Sequence, residues 1–237
     1  MRDVYLLTLR QLSGKWRLLI MTALSSMPVI MAVLTLRDDD APTVAAFDQV
    51  VFSVMLMGSI LPLVVLAIAA ASFANEVEDR TIANLTLAPI PRWEIAVPKL
   101  LAVITLAAPF ILVSAFLTSH IGFLADTRAT IAVVVSSLVA VALYSATFVW
   151  LGLVSTQAIG LGLLYIVLWE GLFSGFVSGV RLLSIRHYAI GVMHGLDERR
   201  FAESTHLTFP AVTGVCVVVC ATFLLLSIRR LRRMDIP

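Results

Sequence analysis

Charge is what this chain has least of. Asp, Glu, Lys and Arg make up 14% of its 237 residues, against about 25% in a soluble domain. Hydrophobic residues make up 60%, and the mean hydropathy is +1.00. That composition excludes a soluble globular protein and leaves an integral membrane one. Cysteine is nearly absent: Cys216 and Cys220 stand one helical turn apart in a late apolar run, which suits buried thiols and excludes a disulfide framework. No G-x-x-x-x-G-K-[ST] sequence occurs. Gly14-Lys15 lacks the upstream glycine and a preceding strand, so the chain itself does not cradle a nucleoside triphosphate and is not expected to be an enzyme. A net charge of only +2, without a basic domain, argues against nucleic acid as a partner. The four histidines, His120, His187, His194 and His206, fall outside the apolar runs. They form no i, i+4 pair, so no metal site is expected.

What is abundant is apolar sequence of bilayer length, roughly 20 residues per crossing. Such runs cover about 18–36, 50–74, 98–118, 129–154, 158–178 and 208–228. The expectation is an all-α integral membrane fold, one transmembrane domain over 1–237 with six spans. The first run follows Arg2, Arg10, Lys15 and Arg17, as the apolar part of a signal peptide would. It exceeds the ~7–15 residues of such a segment and no A-x-A site follows, so it reads as a retained span. Only Ser155, Thr156 and Gln157 separate the fourth and fifth runs, which demands a tight hairpin. Pro28, Pro62 and Pro109 fall within the first three spans, where neighbours can satisfy the carbonyls a proline frees.

Cations set the orientation. With both termini cytoplasmic, the inner segments hold Arg2, Arg10, Lys15, Arg17, Arg80, Arg92, Lys99, Arg229, Arg230, Arg232 and Arg233. The outer ones hold Arg37, Arg128, Arg181, Arg186, Arg199 and Arg200, together with Asp38, Asp39 and Asp40. The ends fit this arrangement. Tyr5, Leu9, Leu12 and Trp16 make an apolar stripe within 1–17, with Asp3, Arg10 and Arg17 on another face. That is the pattern of a helix lying in the membrane interface. Arg229–Arg233 reads as an anchor at an anionic leaflet.

The cytoplasmic segment 75–97 concentrates Glu76, Glu78, Asp79 and Arg80 into five residues. Glu76 and Arg80 are spaced for a helical ion pair. Val77, Thr81, Asn84 and Ala88 share one face, with Ile82 and Leu85 beside it. Pro89 and Pro91 end the helix, and Arg92, Glu94 and Lys99 mark the interface before the third span. Most connections need only ~4–6 residues. A helix of this kind suits docking into a groove on a soluble partner.

This stretch, EVEDRTIANLTLAPIPRWEIAVPK from Glu76 to Lys99, resembles the loop of the ABC-2 type permeases, the membrane subunits of ATP-binding-cassette transporters. Members commonly show an acidic residue, Gly-Thr, a hydrophobic helix, Pro-x-x-Arg and a lysine opening the third span. Glu76, Glu78, Thr81, Pro89, Arg92 and Lys99 take the matching positions, while Arg80 stands where the family often has glycine. The resemblance implies that this segment is a coupling helix, with Glu76, Glu78, Asp79, Arg80, Thr81, Leu85, Pro89 and Arg92 as the ATPase-coupling residues. It also implies two permease copies as a homodimer, two copies of a cytoplasmic ATPase carrying ATP and Mg, and transport in the export direction. LWEGLFSG followed by VRLLSIRHYAIG is similar to one bacterial branch of these permeases, and the family places re-entrant helices in the corresponding region, here 179–207.

Within the fifth span, Glu170 interrupts an apolar helix. An intramembrane carboxylate is a functional candidate; a structural hydrogen bond and an acid reaching for the surface are the rival readings. Gly171, Gly175 and Gly179 form a ridge that permits close helix approach, so Glu170, Gly171 and Gly175 are candidates for a pathway or gate. Two other classes compete with transport. An intramembrane protease of the prenyl-protease kind would need Glu-Glu-x-x-x-Arg and intramembrane histidines, and Glu76–Arg80 has the wrong spacing. A non-transporting scaffold or sensor subunit would share the topology without needing a coupling loop.

Overall fold

Inside a bilayer each backbone N–H and C=O must find its partner within the protein, and a helix provides this within one segment. The computed structural model describes residues 1–35, 44–73, 91–123, 126–173, 184–201 and 208–233, and among these there is no strand. In chain order the helices are α1 (Arg2–Leu12), α2 (Lys15–Thr35), α3 (Asp48–Phe73), α4 (Trp93–Gly122), α5 (Thr127–Val154), α6 (Ala158–Leu164, continued by Tyr165–Phe173), α7 (Ile185–Leu196) and α8 (Phe209–Arg233). Five of them, α2, α3, α4, α5 and α8, are long and apolar enough to cross a membrane. The remaining predicted span, 158–178, begins as α6, a shorter apolar helix whose described part ends at Phe173.

Two helices form the centre. The most apolar window of α3 is 72% buried and that of α5 is 61% buried, against 22% for α2 and 17% for α8. Helix α5 touches α3, α4, α6, α7 and α8. Its buried positions are largely small: Ala129, Ala132, Ser136, Ser137, Ala140, Ser145 and Gly152. Small residues let helix backbones approach where the hydrophobic effect between helices is weak. At Gly152 the approach is limiting, since a Cβ there would lie 2.7 Å from the Ala70 carbonyl oxygen of α3. The hydroxyls of Ser136 and Ser137 donate back to the Val133 carbonyl, so burying them leaves neither unsatisfied.

Helix α5 starts at a side-chain cap: Asp126 Oδ1 accepts from the backbone N–H of Arg128 at 3.0 Å and of Ala129 at 3.4 Å. Asp126→Ala is expected to cost about 1 kcal/mol, read as a lower thermal midpoint in detergent, while Asp126→Asn should keep most of the stability. Equal midpoints for Asp126→Ala and the parent chain would show that the cap contributes nothing.

The predicted N-terminal stripe is divided between two helices. Helix α1 ends at Leu12, and Gly14, around which there is open space, precedes α2. Thr8 and Leu12 are buried and α1 packs against α4, whereas Leu6 and Leu7 are exposed and Trp16, now in the first turn of α2, is 79% exposed.

Two stretches depart from α-geometry. Helix α3 is π-helical over Asp48–Ile60, and α6 is π-helical over Tyr165–Phe173; the two stretches touch each other. Hydrogen bonds from i to i+5 widen the turn and bring residues five apart onto one face, an arrangement that is rare and frequent at functional sites. The wide register in α3 gives way just before Pro62, which has no N–H to continue it.

Candidate functional site

Of the residues singled out from the sequence, Glu76, Glu78, Asp79, Arg80, Thr81, Leu85, Pro89 and Gly175 lie outside the described residues. Arg92 sits half-buried in the turn before α4, where its carbonyl accepts from the N–H groups of Ile95 and Ala96. Gly171 is exposed, and among the described residues a Cβ there would meet only the Ile166 carbonyl oxygen, at 3.7 Å. Glu170 is fully buried and is the centre of the most developed polar cluster among the described residues.

Four donors converge on its carboxylate. The Tyr165 hydroxyl donates to Oε1 at 2.9 Å. The Ser184 hydroxyl donates to Oε2. The backbone N–H groups of Ile185 and Arg186 donate to Oε1 at 3.0 and 3.5 Å. Each partner is placed by a local feature of the chain. Tyr165 and Glu170 are five residues apart, so an α-helix would point them in different directions, and the π-helical stretch stacks them. Ser184 is the N-cap of α7, and its oxygen also accepts from the His187 N–H at 3.2 Å. Ile185 and Arg186 open α7, where the first N–H groups have no partner within the helix and the dipole favours a negative charge. Glu170 therefore caps α7 from a neighbouring helix.

Arg186 extends the cluster into α3. Its Nη1 donates to the Glu170 carbonyl at 3.4 Å, and its Nη2 donates to the Ser53 hydroxyl at 3.0 Å. Gly58 leaves the room for this: a Cβ there would sit 3.1 Å from Nη1. From α5, fully buried Tyr144 brings its hydroxyl toward Glu170 without a hydrogen bond of ordinary geometry. One carboxylate thus ties α6 to α7, and one guanidinium ties both to α3. The space beside the cluster is apolar, a cavity of about 380 Å³ whose lining includes Leu143, Thr147, Tyr165, Ile185, Tyr188 and Cys216. The arrangement is a buried acid held by several donors, and it ties helices to one another. No group of three or more His, Cys, Asp or Glu side chains is placed to hold a metal ion among the described residues.

Sequence reasoning found Glu170 but missed Tyr144, Tyr165, Ser184 and Arg186. Ser184 carried a usable signal, as a hydroxyl residue just ahead of an amphipathic stretch. Arg186 belongs to the segment that the sequence places outside, and its guanidinium reaches Ser53 of α3.

The two ends of the bundle are organised differently. At the end where α3 begins, Asp48 pairs with Arg200 at 3.6 Å, and the Arg200 guanidinium lies 3.9 Å over the Phe123 ring. Phe47, Phe52, Phe123 and Phe201 pack around this pair. Toward the other end of the bundle, Lys99, placed by the sequence at an interface, is only 1% exposed. Its Nζ donates to the Ser72 carbonyl at 2.6 Å and stands 4.2 Å above the Phe73 ring.

Compared with known proteins, residues 8–170 match the family model described as ABC-2 family transporter protein. That match takes in α2 to α5, the segment between α3 and α4, and α6 as far as Glu170. No curated protein matches the chain.

Proposed function

This chain belongs to the ABC-2 family of transporter membrane proteins, and from that premise we propose that it forms half of an ATP-driven export pathway. As a permease subunit it works with an ATP-binding-cassette ATPase, and in our reading two copies of each assemble. ATP and Mg are held by the partner, and both termini of the permease face the cytoplasm.

The observation that carries this reading is the family match across residues 8–170, which takes in the charged segment between α3 and α4. In our reading residues 75–97 form the coupling helix, with Glu76, Glu78, Asp79, Arg80, Thr81, Leu85, Pro89 and Arg92 against the ATPase. Helix α1 lies in the membrane interface, which its exposed Leu6 and Leu7 favour. The exposed Gly171 belongs to a face that meets the second permease copy, with Gly175 continuing it. Glu170 holds the helix that closes the outer part of the pathway. The helix-tying geometry around Glu170 supports this, because an element gripped by a few buried hydrogen bonds has discrete held and released states.

The test is to co-express the chain with the ATPase encoded beside it, purify the complex through a tag on the permease, and measure ATP hydrolysis in nanodiscs. Co-purification is expected. The triple replacement Glu76→Ala, Glu78→Ala and Arg80→Ala should lower permease-dependent hydrolysis by about tenfold. An unchanged rate with intact assembly would remove the coupling role, and absence of any co-purifying ATPase would remove the permease reading.

A further inference from the structure

Helix α8 is the least buried of the five long helices. Between it and α4 and α5 runs a groove of about 480 Å³, whose lining includes Leu100, Val139, Leu143, Cys216, Ala221 and Leu224. Thr213 also lines it, but its hydroxyl is spent on the Phe209 and Pro210 carbonyls. The groove therefore offers apolar surface and suits a hydrocarbon occupant. Its lower end is defined by the run of the helices. A Cβ on Gly195 would collide with the Phe209 ring, and the Leu196 carbonyl accepts from Arg128 at the start of α5. Helix α8 thus begins at the end where α4 finishes, and it ends near where α4 starts.

Both walls lead to groups that recognise a lipid headgroup. Along α8, Val217, Ala221, Leu224, Ile228 and Arg232 recur at i, i+4, i+7, i+11 and i+15, so one face joins the open lip of the groove to a cation. Arg229 stands one turn before Arg232 on an adjoining face. Along α4, Leu100, Val97 and Trp93 recur at i, i−3 and i−7, and Trp93 is exposed. Trp93 and Arg232 fall about 10 and 12 Å below Leu100 and Leu224 respectively, which puts them at one level. Tryptophan favours the headgroup level of a bilayer. Arg229, Arg230, Arg232 and Arg233 are all exposed, and none pairs with a carboxylate among the described residues.

We propose that this groove binds an anionic phospholipid of the leaflet at which α8 ends. One acyl chain lies between α4, α5 and α8, and Arg229 and Arg232 hold the phosphate. One leaflet supplies about 15 Å of hydrocarbon, the rise of roughly ten helical residues, which is the distance from Ser227 back to Val217. The guanidinium fork matches phosphate oxygens in pairs. Arginines at a helix end would by themselves attract an anionic surface diffusely; the groove above them makes the attraction a site. The inference needs only the membrane fold, and it stands apart from the ATPase partnership.

The test uses the full chain purified in a neutral detergent, with added lipid counted on the protein by native mass spectrometry. Dioleoyl phosphatidylglycerol should bind at about tenfold lower concentration than dioleoyl phosphatidylcholine, which has the same chains and no net charge. Glycerol phosphate, which has no chains, should not displace it. Arg229→Gln with Arg232→Gln should weaken phosphatidylglycerol binding by about tenfold. Arg230→Gln with Arg233→Gln removes the same charge from the neighbouring face and, screened by salt, should change binding by less than about threefold. Ala221→Phe keeps every arginine, fills the groove and should weaken binding by about tenfold. Equal losses in the two double variants would reduce the arginines to a diffuse anchor and overturn the site. Equal binding of the two lipids, displacement by glycerol phosphate, or an Ala221→Phe chain that binds as the parent does would overturn it too. An Ala221→Phe chain that leaves a dimer yet keeps its lipid would assign the groove to a second copy instead. Ala221 and the arginines are exposed, so these variants should fold. Should a double variant not do so, Arg232→Gln alone should weaken binding by about threefold, and no change would count against the proposal.

Discussion

Glu170→Leu is expected to lower the stability of the isolated permease by about 3–5 kcal/mol, the usual cost of removing one partner from a buried charged cluster. The substitution is close in volume, so the loss comes from donors and not from a void. The hydroxyls of Tyr165 and Ser184 and the N–H groups of Ile185 and Arg186 lose their shared acceptor. An unmade buried hydrogen bond costs ~1–3 kcal/mol, although individual bonds within a bilayer average nearer ~0.6. Glu170→Gln should fall between, at about 1–2 kcal/mol, because the amide keeps one acceptor and turns its NH2 toward groups that already donate. Ser184→Ala and Tyr165→Phe should each cost about 1 kcal/mol. Thermal unfolding in detergent, followed by near-UV circular dichroism, checks the order Leu, Gln, then the single donor variants. If Glu170→Leu melts with the parent chain, the cluster does not hold the fold and its assignment as the fastening of α7 is wrong.

Gly152→Leu carries the second large effect. The first added carbon would fall 2.7 Å from the Ala70 carbonyl oxygen, and backbone cannot swing aside as a side chain can. Overpacking typically costs ~1–3 kcal/mol, and this site should reach or exceed that range, because α3 and α5 are the two most buried spans. Gly171→Leu is the informative companion. Its surroundings are open among the described residues, so the stability of the monomer should stay within about 0.5 kcal/mol of the parent. Under the proposed pairing of copies the same substitution should weaken dimer formation, read by size-exclusion chromatography with light scattering. A Gly171→Leu monomer that unfolds early would mean that this face is packed within the chain after all.

These two glycines show what was legible in the sequence and why the rest was not. The apolar runs lead directly to the long helices, because bilayer thickness imposes one length on each. The ridge at Gly171 was visible as a spacing, yet spacing along one helix does not say which face another helix covers. Gly152 has no such spacing, and its tight contact becomes visible only when α3 and α5 are docked. The same holds for the buried acid. Glu170 stands out as a charge in an apolar run. Its partner Tyr165 was hidden because a search at three or four residues cannot find a pair that a π-helical turn aligns at five. Ser184 and Arg186 come from a segment that reads as extracellular or re-entrant, and only the packing of α7 against α5 shows which of its side chains turn inward. Lys99 stands in the sequence as a marker of the interface, and only its contact with the Ser72 carbonyl of α3 shows it turned inward.

The Glu170 cluster also bears on how the chain is made. If α6 enters the bilayer as the sequence predicts, its carboxylate would cost about 3 kcal/mol near the centre of an isolated span. Of the four donors described above, the Tyr165 hydroxyl precedes Glu170 in the chain; the Ser184, Ile185 and Arg186 groups are synthesised 14, 15 and 16 residues after it. Three of these four donors therefore become available to the acid only once α7 has been made and folds back against α6. Docking of α7 is in this sense a late step in the making of the fold, because it completes a cluster that the earlier part of the chain can only begin.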